Sequence, residues 1–198
     1  MTPRPLVTAT VQAALLGALS NVLAQLLTAD ESTESIDWIP VLQFLLFNIV
    51  STPPNFLWQE FLESTYPRKN NGSLSIYNTM VKFALDQTIG ALVNTLLFSI
   101  FIHALQDAMA HAPHMESLPA AAAYFMKPGA VNLTRVDALA ILDAAKRDFW
   151  PVVVTGLKFW PAVSLINFSF VKTVATRNLV GASAGVVWGI YMSTVAAR

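Results

Sequence analysis

Cysteine is absent from this chain of 198 residues. That excludes a disulfide framework, a thiolate nucleophile and a Cys-ligated metal. Charge is scarce as well, at 12% of positions, against roughly 25% in an average soluble domain. Twelve basic residues balance twelve acidic ones, so the formal net charge is zero. Without a basic excess there is nothing to meet a phosphate backbone, and nucleic-acid binding is excluded as a class. The charge-rich, apolar-poor composition of a disordered chain is absent too. Catalytic signatures are missing: there is no Gly-x-Ser-x-Gly, no His-Glu-x-x-His and no phosphate loop. His111 and His114 lie three apart, but Pro113 breaks the helix that would align them. The expectation is a non-enzyme with no metal or cofactor.

What is present is apolar. Hydrophobic residues fill 55% of positions, and mean hydropathy is +0.53. A bilayer core of about 30 Å needs about 20 apolar residues as helix. Uncharged runs of that order occupy 5–29, 38–59, 87–106 (with one His) and 178–197, and a fifth, 149–171, is broken only by Lys158. Five such segments are too many and too long for a signal peptide. The reading is one all-α domain over 1–198, a polytopic transmembrane helix bundle with a long connection at 107–148. The lipid bilayer is its first partner. In that connection, 135–148 carries Val136, Leu139 and Leu142 at helical spacing and an Asp143/Arg147 pair, the pattern of an amphipathic interfacial helix.

Prolines and charges set the topology. Pro53-Pro54 should kink or end the second segment near Thr52. The loop after the first segment is acidic (Asp30, Glu31, Glu34, Asp37), whereas Arg68 and Lys69, then Lys172 and Arg177, follow the second and fourth segments. Basic residues mark the cytoplasmic-type side. Four spans with both termini on one side follow, with 178–197 packed along the interface or against the bundle. Five spans are the alternative, since that stretch is long enough to cross.

Polar groups inside spans are the candidate functional residues, because lipid makes them costly. Lys82, Asp86 and Asn94, with Gln87 beside them, form a stripe on the third segment. The stripe either lines a water-filled path or is interfacial, with Lys82 snorkelling and neutralising Asp86. Lys158 is the deepest basic group, and Asp86 is its expected partner; Asn167 and Arg177 complete the set. His103 stands alone on an apolar helix. Gly181, Gly185 and Gly189 make a tandem Gly-x-x-x-Gly, a helix-packing face that serves either this bundle or a homo-oligomer.

Several segments read together. Pro5-Leu6-Val7-Thr8, Asp86-Gln87, Trp150-Pro151, Trp160-Pro161, Asn167-Phe168-Ser169-Phe170-Val171, Arg177 and Trp188 with Tyr191 and Ser193 resemble the family of the 22-kDa peroxisomal membrane protein and the Mpv-17 protein. Leu92 and Lys172 stand where that family usually has Pro, which suggests a divergent, fungal-like branch. The resemblance implies a four-span organelle membrane protein related to pores for small solutes. The alternative it implies is a scaffold for organelle maintenance, assembled with other organelle membrane proteins. Arg4 is the only charge before Asp30, unlike an Arg-rich presequence. That favours the peroxisomal membrane over the mitochondrial inner membrane.

Overall fold

The computed structural model describes residues 3–29, 35–69 and 73–196. Asp30, Glu31 and Glu34 of the acidic loop, the polar turn at 70–72 and Arg198 lie outside the described residues. Among the described residues seven α-helices follow one another: α1 (Pro3–Thr28), α2 (Trp38–Thr65), α3 (Ile76–Ala108), α4 (Leu118–Phe125), α5 (Ala138–Gly156), α6 (Trp160–Phe170) and α7 (Val174–Ala196). Side chains start most of them. Asp37 Oδ1 accepts from Ile39 N at 3.0 Å, Ser117 Oγ from Ala120 N at 3.3 Å, and Asp137 Oδ1 from Leu139 N at 2.9 Å. Each satisfies an orphan N–H of a first turn.

Small residues decide the packing of α1. Ala9, Ala13, Ala14, Ser20 and Ala24 are all buried, so α2 and α7 approach its backbone from two sides. A Cβ on Gly17 would collide with the Asn48 side chain of α2, and one on Gly189 with the Ser20 hydroxyl. Close approach is what holds helices together where lipid supplies no hydrophobic drive. Between α2 and α3 the seam is aromatic: Phe98 meets Phe47 edge-on at 5.1 Å, and Phe47 meets Phe101 at 5.7 Å.

Helices α5 and α6 are bent by 57° at a short break. The register along α3 continues across it: His103 faces Asp148, Asp86 faces Ser164, and Lys82 faces Phe168. Among the described residues two helices are long and apolar enough to cross a membrane, Arg4–Thr28 and Ile76–Ala108, and the bent pair adds a third if it is one span.

Two expectations change in detail. Pro53 and Pro54 do not end α2, which runs through both. They remove the helical bonds to the carbonyls of Ile49 and Val50. The stretch 135–148 is not a separate interfacial helix; from Ala138 it is continuous with the fourth apolar segment as α5, with Ile141 and Ala145 buried. The long connection is an ordered cap. Ile39, Met109 and Ala121 form its core, Trp38 N donates to Met115 O at 2.9 Å, and Asn132 N donates to Ala108 O at 3.0 Å.

Candidate functional site

At the end of the bundle away from the cap, the end of α2 meets the first turns of α3 and α7 and the last turn of α6. Glu63 stands at the junction. Its Oε2 takes Lys82 Nζ at 2.8 Å and Arg177 Nη1 at 2.6 Å, and both cationic side chains are 1% exposed. The Phe168 ring lies under both, 5.6 Å from Lys82 Nζ and 5.2 Å from the Arg177 guanidinium. Arg177 Nε also donates to Val171 O at 3.1 Å. Asn167 Nδ2 donates to Arg177 O at 3.3 Å. Arg68 Nη2 closes the α6 end by donating to Ser169 O at 3.0 Å. One carboxylate therefore compensates two buried cations, and it fastens α3 and α7 to α2.

One turn deeper, α3 changes its winding. Asp86–Gly90 is a π-helical segment, a local widening that is common at functional sites. Asp86 Oδ1 accepts from Gln59 Nε2 at 2.9 Å and Oδ2 from Ser164 Oγ at 2.8 Å. Gln87 follows it, half-buried. Gly90 closes the segment because a Cβ there would come within 2.9 Å of the Trp58 Nε1, whose N–H lies beside the Asp86 carboxylate.

The expected partners of Asp86 are corrected here. Neither Lys82 nor Lys158 pairs with it. Lys82 faces Glu63, one turn towards the membrane edge. Lys158 lies exposed in the break between α5 and α6, with no carboxylate bonded to it among the described residues. Asn94 is also outside this cluster, exposed on the outer side of α3. His103 is not alone: its Nε2 lies 2.8 Å from Asp148 Oδ2. The glycine face is split. Gly189 packs on α1, but a Cβ on Gly181 or Gly185 would meet nothing within 4 Å.

Glu63, Gln59 and Ser164 were not singled out from sequence, and Phe168 entered only within the 167–171 motif. Glu63 precedes a polar turn and reads as interfacial. A signal existed in its place four residues after Gln59 on α2, as Lys82 and Asp86 are spaced on α3, so that antiparallel packing aligns the two pairs.

The fold and its buried polar clusters define a class: an all-helical membrane protein with ionisable groups enclosed between helices. Residues 135–193 match the profile of the Mpv17 / PMP22 family. The chain is similar to that family over this C-terminal part. It is 25% identical to "PXMP2/4 family protein 3" of Dictyostelium discoideum over 203 residues, covering 98% of this chain and 86% of the relative. An uncharacterised protein of Schizosaccharomyces pombe is 24% identical, with 96% and 81% covered. No solved structure matches.

Proposed function

We propose that this chain passes small polar solutes across an organelle membrane along the polar column between α2, α3 and α6. The observation that carries the reading is Asp86. It is a carboxyl inside a candidate span, at a π-turn, held by the neutral Gln59 and Ser164 rather than by a cation. Bundle cohesion does not require an acid there, and intramembrane ionisable groups mark solute and proton routes. Purified protein in planar bilayers or liposomes tests this. Wild type should conduct small solutes, and Asp86→Leu should cut flux by about tenfold, equivalent to about 1.4 kcal/mol on the barrier. Absence of wild-type flux would support the second reading, a scaffold. That reading draws on Lys82 and Arg177, both committed to Glu63 rather than to a path.

Five crossings suit the packing better than four. Support for five comes from α7 running alongside α1 in the same direction, with Ser20 Oγ donating to Val186 O at 3.4 Å. Arg68, Lys69 and Lys172 then share the face away from the cap, the cytoplasmic-type side under the positive-inside rule. The family resemblance supports the peroxisomal membrane, with the mitochondrial inner membrane as the alternative. Imaging of the tagged chain against markers of both organelles decides between them.

A further inference from the structure

A groove of about 510 Å³ lies where the end of α2 meets the start of α7. Leu57, Phe61 and Val174 give it apolar walls, and Glu60, Glu63 and Ser64 are its polar residues. Two of these three are engaged within the chain. Glu63 Oε2 takes Lys82 and Arg177, and Ser64 Oγ donates to Phe61 O at 3.0 Å. Glu60 is not: among the described residues its carboxyl has no hydrogen bond or ion pair, and its Oε2 is buried. Helix α2 packs against α1 and α3, both long and apolar enough to cross a membrane. Glu60 lies five residues inside the end of α2 at Thr65, about 7.5 Å along the helix. At that level the groove faces lipid, since Leu57 is 48% exposed and Phe61 52%. Ionised, the Glu60 carboxyl lacks a counter-charge; protonated, its O–H lacks an acceptor. Acyl chains supply neither.

The occupant must therefore donate hydrogen bonds, carry positive charge and possess an apolar body. A bare metal cation has no use for the apolar walls. A trimethylammonium has no N–H to give and is recognised by cages of several aromatic rings, whereas this lining holds a single ring, Phe61. A primary ammonium joined to acyl chains meets all three demands. The phosphate that joins them has a partner too. Lys172, two residues before Val174, is exposed and has no ion pair among the described residues. We propose that the groove holds an aminophospholipid, with its ammonium on Glu60, its phosphate towards Lys172 and an acyl chain along Leu57 and Phe61. The inference rests on α2 lying in the membrane, not on conduction.

Lipid retention tests it. The full chain is reconstituted in nanodiscs with equal phosphatidylethanolamine and phosphatidylcholine, extracted in mild detergent and weighed by native mass spectrometry. Wild type should keep phosphatidylethanolamine several-fold over phosphatidylcholine. Stepwise N-methylation of the lipid should spare retention until the third methyl removes the last N–H. Glu60→Gln should abolish the preference, with an unfolding temperature in phosphatidylcholine near that of wild type. Lys172→Gln should weaken retention of both lipids alike, since both carry the phosphate. Equal retention of the two lipids by wild type overturns the proposal. So does a preference that survives Glu60→Gln. If that variant fails to fold, the methylation series on wild type decides alone, and retention that shows no drop at the third methyl overturns the proposal. Flux is not measured in any arm, so failure of the conduction reading leaves this outcome untouched.

Discussion

Glu63 and Asp86 are both carboxyls in the bundle, yet their substitutions should behave oppositely. Glu63→Gln leaves Lys82 and Arg177 buried with no compensating charge. Breaking such an arrangement costs about 3–5 kcal/mol, because the stranded cation rather than the lost bond dominates. The check is thermal unfolding in detergent; adding Lys82→Met to Glu63→Gln should recover part of the loss. No recovery would mean the cations are not coupled through that carboxylate. Asp86 strands nothing when neutralised. The Asn of Asp86→Asn still accepts from Gln59, and its amide donates to the Ser164 hydroxyl. The expected change in the same melts is about 1 kcal/mol or less, the scale of one hydrogen bond. A loss as large as that of Glu63→Gln would point to a charged partner for Asp86.

Helix α7 offers the corresponding contrast between elements. Its glycines share one stripe, but only Gly189 abuts α1, at the Ser20 hydroxyl. Gly189→Leu drives the two helices apart and should destabilise by about 1–3 kcal/mol, the usual range for overpacking. Gly185→Leu meets open space and should leave the unfolding temperature of the single chain near wild type. Equal damage from both would show that the whole stripe is packed within the chain. The broken element α5–α6 follows another rule. Helix α6 opens with Trp160-Pro161, where proline suits a first turn. Phe159 stacks on Trp188 at 5.8 Å, tying the break to α7. The side-chain pairs along α3 keep their register, so the break bends the element without displacing it.

For the whole molecule, the parallel run of α1 and α7 has a consequence at the termini. If all five segments cross, the two ends lie on opposite sides of the membrane. Epitope tags at each terminus, probed with protease in sealed organelles, should give one tag accessible and one protected. Both tags behaving alike would restore the four-span arrangement drawn from charge placement. At the cap, Gln25 ties the end of α1 to the start of α2: its Nε2 donates to Asp37 O at 2.8 Å while Oε1 accepts from Asp37 N at 2.8 Å.

Much of this was legible in composition and runs. The low charge, the absence of Cys and the apolar segments determine an all-helical membrane protein, because the bilayer constrains length and polarity so tightly that one-dimensional patterns suffice. Lys82, Asp86 and Arg177 stood out by the same constraint, since a charge in an apolar run is costly. Partner choice did not follow. Glu63 outcompeted Asp86 for Lys82 because antiparallel packing of α2 on α3 brings it level with that ammonium, and sequence spacing carries no inter-helix register. The π-turn that places Asp86 against Ser164 has no marker in the residues either. Nor could sequence separate Gly189 from Gly185, identical in type and periodicity; only the line along which α7 crosses α1 decides which glycine a neighbour touches.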